Sequence, residues 1–263
     1  MLDPAIRREL RSLAKLTAET VSGQLVAAGM LLESDPQAAL AHARAARRIA
    51  SRVSSVREAN GLAAYAAGEY AEALAELRAH RRMSGLSLHI PVMADSERAL
   101  GRPDKALALL DEAPLGELPA AARAELLLVR SGAYRDLNQL QDALSSLEVS
   151  ELDSPVIKPW TVRLWYGYAE ALLGVNREAE AREWFGAVAA VDDGTTDAAE
   201  RFENDDDVEA EASEGPAVAA DAEVAQDEVS DEPVVDGIDT EAVTVDEVTG
   251  VADLNFRSGI STG

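Results

Sequence analysis

The chain has 263 residues, with 24 Lys and Arg against 48 Asp and Glu, a net charge of −24, and no cysteine. That length allows one or two domains, and the lack of cysteine excludes disulfides, thiolate nucleophiles and thiolate metal sites. The charge is uneven: residues 192–263 hold 23 acidic residues and only Arg201 and Arg257, so about 21 of the 24 net negative charges lie there and the body before them is nearly neutral.

The first segment, MLDPAIRRELRSLAKL, is charged throughout and has no apolar stretch of the secretory kind. No later run is long enough for a membrane span, so a cytoplasmic location is the expectation. Asp3-Pro4 reads as a cap followed by proline at the first helical position. It opens an amphipathic helix in which Ile6, Leu10, Leu13 and Leu16 recur at helical spacing and cover the first helices of the body.

Next comes a repeated pattern. GMLLESDPQAALAHA (29–43) is succeeded by GLAAYAAGEYAEALAEL (61–77), SERALGRPDKALALL (96–110), GAYRDLNQLQDALSSL (132–147) and AEALLGVNREAEAREWF (169–185). Each has an apolar-periodic helix, a short turn of Gly, Asn, Asp or Pro, and a second helix that soon reaches an alanine. With the register fixed on Ala39, Ala73, Ala106, Ala143 and Ala181, the spacings are 34, 33, 37 and 38. Gly68, Gly101, Asn138 and Asn176 then stand where the first helix of each pair stops, a place that commonly demands the left-handed conformation. Pro36 and Pro103 fit the first turn of the second helix. The small residues of the register, with Gly61 and Ala169, let paired helices cross closely. After the last unit, Asp197 and Glu200 have capping-box spacing, which predicts a short closing helix to about Asn204.

These units resemble tetratricopeptide (TPR) repeats. The last carries the family pattern in Trp165, Tyr168, Ala169, Leu172, Ala181 and Phe185. The fourth carries it in Leu127, Ser131, Tyr134, Ala143, Leu147 and Pro155, with Arg130 at an apolar position. The second has Gly61, Tyr65, Ala73 and Leu77, with Ala64 in place of an aromatic; the first and third are degenerate. More loosely, the whole chain resembles small actinobacterial TPR proteins. The resemblance implies an all-α TPR-like α-α superhelix of about five helix pairs over residues 1–204. Residues 205–263 are too acidic and too poor in large apolar side chains to build a core, and they are expected to form a disordered acidic tail.

Signs of chemistry are scarce. His42, His80 and His89 are far apart in sequence, without zinc-ligand spacing, and are expected in surface or packing roles. No P-loop, dinucleotide fingerprint or nucleophile elbow occurs. The aspartates of NDDDVEAE and DGIDTEAVTVDE lack the order of a calcium loop. No catalytic residue, metal or cofactor is predicted, and the chain is read as a non-enzyme.

In TPR proteins the first helix of each pair lines the concave binding face. The resemblance places Glu58, Leu62, Tyr65, Asp95, Arg98, Leu128, Arg135, Arg163, Tyr166 and Glu170 there. Such a groove suits a peptide or helix with apolar anchors and acidic flanks, the arginines gripping carboxylates. The expected function is thus a non-catalytic protein-interaction module or adaptor, its tail modulating access to the groove or to basic stripes. The Lys and Asn clamp of chaperone-tail receptors is missing, with Leu62 and Gly132 at the positions where Asn would be sought. One alternative is a nucleic-acid or ribonucleoprotein-associated factor using Arg7, Arg11 and Lys15, then Arg44, Arg48 and Arg52, then Arg78, Arg81 and Arg82. A second is a self-assembling structural subunit. The final VADLNFRSGISTG regains apolar residues and reads as a disordered end or a short docking motif.

Overall fold

The computed structural model describes residues 2–154, 156–192 and 194–203. The expectations for the acidic tail and its last apolar residues lie outside the described residues. Within them every regular element is helical: α1 (Pro4–Leu10), α2 (Lys15–Leu31), α3 (Pro36–Ala50), α4 (Ser54–Ala66), α5 (Tyr70–Ser84), α6 (Ile90–Ala99), α7 (Pro103–Asp111), α8 (Ala120–Asp136), α9 (Leu140–Ser145), α10 (Pro159–Gly174) and α11 (Glu178–Ala189). Two short 3-10 turns, Leu115–Glu117 and Ser150–Asp153, precede α8 and α10, and residues 198–203 are again helical.

The helices pair as hairpins, α2 with α3, α4 with α5, α6 with α7, α8 with α9 and α10 with α11. Four of these hairpins turn in the same way. Gly68, Gly101, Asn138 and Asn176 have φ of 79°, 71°, 59° and 60°, and the two asparagines are the non-glycine residues with left-handed φ among the described residues. After each first helix a pair of backbone hydrogen bonds closes the corner. Gly68 N donates to Tyr65 O (3.0 Å) and Glu69 N to Ala64 O (2.8 Å), and the same two spans recur at Gly101 and Arg102, at Asn138 and Gln139, and at Asn176 and Arg177. This is the Schellman arrangement, in which a left-handed residue lets the chain satisfy carbonyls at the helix end. The first hairpin turns differently: Asp35 caps α3, accepting from Ala38 N at 3.0 Å, and Pro36 takes the first helical position.

Inside the hairpins the alanine register is the contact line. Ala39, Ala73, Ala106, Ala143 and Ala181 are all fully buried. At Gly61 a Cβ would come within 2.7 Å of Leu77, so α4 and α5 cross too closely there for any side chain. The second helix of each hairpin packs on the first helix of the next, α3 on α4, α5 on α6, α7 on α8 and α9 on α10. First helices also meet, α2 with α4, α6 with α8 and α8 with α10. The core is divided along the chain into four clusters, each drawn from neighbouring elements.

Buried carboxylates stitch hairpins together. Glu76 on α5, 2% exposed, receives Arg47 of α3 at 2.7 Å and Arg57 of α4 at 2.8 Å. Glu97 on α6, 1% exposed, receives Arg78 of α5 at 2.6 Å and Arg102 at 3.4 Å. Taking a carboxylate out of water costs several kcal/mol unless it is paired and hydrogen-bonded, and each of these has two guanidinium partners.

The predicted opening helix is interrupted. α1 stops at Leu10, where Ser12 Oγ donates to Glu9 O at 2.8 Å, and α2 begins afresh at Lys15. Ile6, Leu10 and Leu13 join the first core cluster as expected, but Leu16 is 78% exposed. The Glu9 carboxylate accepts from Ser55 N at 2.9 Å, fastening α1 to the start of α4. At the other end Asp197 does not form the predicted capping box; its carboxylate accepts from Tyr166 and Arg201.

Both the corners and the ion pairs can be probed by denaturation. In urea Asn138→Val should lower stability by about 1–2 kcal/mol, because a β-branched residue resists the left-handed corner, while Asn138→Gly should stay within about 0.5 kcal/mol of the parent. Arg44 of α3 grips Glu72 of α5 with Nε and Nη2, down to 2.5 Å, and this hydrogen bonding holds the Glu72 carboxyl below its ordinary value. A depressed folded-state value means the pair stabilises the fold above the unfolded carboxyl's ~4.3 and loses that contribution as pH falls through the lower folded value. Arg44→Gln should therefore flatten the stability curve below about pH 4.3, measured by urea midpoints from neutral to acid pH.

Candidate functional site

Each of the ten residues predicted to line a binding face lies on a first helix: Glu58, Leu62 and Tyr65 on α4, Asp95 and Arg98 on α6, Leu128 and Arg135 on α8, Arg163, Tyr166 and Glu170 on α10. Side chains connect them across helices. Tyr65 OH donates to Asp95 Oδ2 (2.5 Å), Arg98 Nη1 to Asp95 Oδ1 (2.8 Å) and Arg98 Nε to Asp136 Oδ2 (2.8 Å). Further along, Arg135 Nη2 donates to Glu170 Oε2 (3.3 Å), and Arg201 of the closing helix reaches the other oxygen of Glu170. Tyr166 OH donates to Asp197 Oδ1 (2.6 Å), and Arg163 pairs with Glu125. The result is a polar ladder from α4 to the closing helix.

This changes the predicted chemistry of the face. Arg98, Arg135 and Arg163 were expected to await a partner's carboxylates, yet each already holds a carboxylate of this chain. Nor are Leu62 and Leu128 open anchors. Both are half-buried and pack against core clusters, and Leu128 lies over Gly167, where a Cβ would collide with it. Arg98 is seated in the same way on Gly132, where an added Cβ would stand 2.5 Å from Nη1. Tyr166 is an edge partner of Phe185, centroids 5.5 Å apart, with the Arg201 guanidinium 5.8 Å from its own centroid. Burial and the hydrogen bond to Asp197 push its hydroxyl up to about 12. Burial and Asp95 also raise Tyr65, so both phenols remain donors at neutral pH. Glu125 is pushed up by burial against the opposing pull of Arg163, with Asp95 adding to the rise.

Glu58 meets a residue that sequence spacing did not connect to it. Its Oε1 lies 2.6 Å from His89 Nε2, and the His80 ring stands 5.4 Å from that of His89, centroid to centroid. Oxygen and nitrogen atoms of Glu58, His80 and His89 all lie within 4.8 Å of one another, a set able to hold a metal ion. Burial alone would raise the Glu58 carboxyl, but the His89 hydrogen bond and the charges of His89 and His80 hold it below its ordinary value. His42 is elsewhere, its Nδ1 2.7 Å from Gln24 Oε1. Residues 58, 80 and 89 have no ligand spacing, and only the hairpin register, which puts the end of α5 beside the starts of α4 and α6, unites them.

The predicted basic stripes fare unequally. Arg44, Arg78 and Arg81 are paired with Glu72, Glu97 and Glu112. Arg7, Arg11 and Lys15 flank the break between α1 and α2 but still line one shallow groove of about 520 Å³, with Leu10, Leu13 and Glu19. Among the described residues, no helix is long and apolar enough to cross a membrane.

The seating of Arg98 on Gly132 can be tested directly. Gly132→Ala should cost about 1–3 kcal/mol in urea denaturation by forcing the guanidinium off α8. Combined with Arg98→Ala, it should cost less than the two single losses added together, since the group that collides is gone. A scan against protein-family models finds no match for the chain, and a search of curated proteins finds none either.

Proposed function

We propose that the chain is a TPR-like superhelical array that acts in the cytoplasm as a protein-interaction module, without catalysis of its own, holding a peptide or helix with acidic groups against the face of α4, α6, α8 and α10. The left-handed corners and the buried alanine register support the TPR likeness, because both are what that repeat pattern requires. The observation that carries the binding reading is the exposure of the outer ladder: the side chains of Arg135 and Arg163 are 45% and 61% exposed although paired. Their carboxylate partners Glu170 and Glu125 are only 19% and 29% exposed, so these stay in place while a partner carboxylate binds the open edge of either guanidinium, and the face adds external contacts to its internal ones.

A nucleic-acid reading has one observation in its favour. Arg7, Arg11 and Lys15 share a groove and have no carboxylate ion pair among the described residues. The two readings separate in one experiment. The full chain, Arg135→Glu/Arg163→Glu and Arg11→Glu/Lys15→Glu are used for native capture from cell lysate, with and without nuclease. The interaction reading expects the α8/α10 double variant to lose its captured protein at least tenfold and nuclease to change nothing. Loss confined to the Arg11/Lys15 variant, or to nuclease treatment, would overturn it in favour of phosphate binding. Light scattering on the same samples reports self-assembly, and a higher-order species broken by the Arg135/Arg163 changes would make the chain's own copy the partner.

A further inference from the structure

The most distinctive group that the ladder leaves over is the pair of histidines at the joint between the second and third hairpins. α4 and α6 are joined there chiefly by side chains, Tyr65 to Asp95 at one end and Glu58 to His89 at the other. His80 enters from the last turns of α5 and is only 4% exposed. His89 stands at the residue before α6, its side chain 13% exposed, and Glu58 on α4 is 23% exposed. Three ligand-bearing residues, on α4, on α5 and at the residue before α6, thus converge at one place.

We propose that Glu58, His80 and His89 form a binding site for a divalent first-row transition ion, of which zinc is the representative. The donor set selects the class. Two imidazoles and one carboxylate suit zinc and its neighbours, whereas calcium and magnesium ask for several oxygens, and only one carboxylate is present. A second contact sets the ligand atom of His80. Its Nδ1 lies 3.2 Å from Ser54 O and 3.0 Å from Ser54 Oγ. A carbonyl can only accept, so Nδ1 donates there, and Nε2, with Ser84 Oγ 3.4 Å away, is the ring nitrogen left to face an ion. Holding the far nitrogen of an imidazole on a backbone carbonyl is how proteins orient metal-binding histidines. His89 offers Nε2, the atom now against Glu58 Oε1.

The geometry is within reach. Ligand atoms around a tetrahedral zinc with bonds of 2.0–2.1 Å stand about 3.3 Å apart. The Glu58 to His89 separation of 2.6 Å opens slightly and the other separations, at most 4.8 Å, close by up to about 1.5 Å, a change that rotation of the partly exposed Glu58 and the α5–α6 connection can supply. On binding, the proton shared by Glu58 and His89 leaves to solvent and the ion takes its place. Three protein ligands leave a fourth position of a tetrahedral ion for water or a ligand from another molecule. The bound ion ties α4, α5 and α6 together where backbone packing between first helices is thinnest.

The test uses the full chain with Zn²⁺ in calorimetry and Co²⁺ in visible absorption, beside His80→Gln, His89→Gln, Glu58→Gln and, as control, His42→Gln. Expected is one equivalent of bound ion, a tetrahedral Co²⁺ spectrum and a thermal midpoint that rises with Zn²⁺. Each change at 58, 80 or 89 should weaken binding at least tenfold, and the change at 42 should leave it as in the parent. Weak binding of several ions that survives all three changes would overturn the proposal and assign uptake to the acidic residues. Because a variant can misfold, the parent chain supplies a second measurement: Co²⁺ should selectively broaden and shift the imidazole resonances of His80 and His89 and spare His42. Equal effects on all three, or none, would also overturn it.

Discussion

The left-handed corner that closes four of the five hairpins is the constraint on which the remaining structure depends. A helix of ten to seventeen residues ending in a three-residue reversal brings the next helix back along the first. That reversal is possible only if one residue adopts positive φ and the amides beyond it turn inward to the last carbonyls. Gly68, Gly101, Asn138 and Asn176 meet the condition, and the burial of Ala73, Ala106, Ala143 and Ala181 at the crossing comes with it. The small side chains in turn set the helix separation. Had bulky residues stood at those positions, Leu77 could not lie against Gly61, nor Leu110 and Phe185 reach full burial.

Charge is then arranged in two layers of different character. Glu76 and Glu97 are sealed between arginines of neighbouring hairpins, where losing one partner would strand a charge out of water. On the first helices the guanidiniums of the ladder grade from the more enclosed Arg98 to the open Arg135 and Arg163, while their carboxylate partners stay half-buried. The inner layer fixes how hairpins sit on one another, and the outer layer keeps guanidinium edges in contact with water.

How much of this was legible in the sequence depended on how local each determinant is. The corners could be read because very few residue types tolerate positive φ, and the alanine register because its spacing repeats. The apolar spacing runs one helix through Leu13 to Leu16, whereas the break there involves Ser12 taking the Glu9 carbonyl and Glu9 reaching Ser55, a contact 46 positions away. The repeat register assigns the ten residues to first helices, where they lie, but it carries no information on what pairs with them. Asp136 and Glu125 of α8 and Asp197, just ahead of the closing helix, which occupy Arg98, Arg163 and Tyr166, carry no mark that identifies them as partners. The meeting of His80 with His89 and Glu58 escaped for the same reason, since it exists only once two hairpins have docked.

The division of the apolar interior into four clusters has a mechanical consequence. Leu2, Leu10, Val21 and Leu25 share one cluster with the start of α4, while Leu164, Phe185 and Ala198 share another at the opposite end, and no cluster among the described residues joins them. An end can therefore open without exposing the middle, so amide protons in α1 and in residues 198–203 are released at a smaller free energy than those of α5 and α6, which have packed neighbours on both sides. A ligand spanning two clusters would act as a splint, converting independent breathing of neighbouring hairpins into a single joint event.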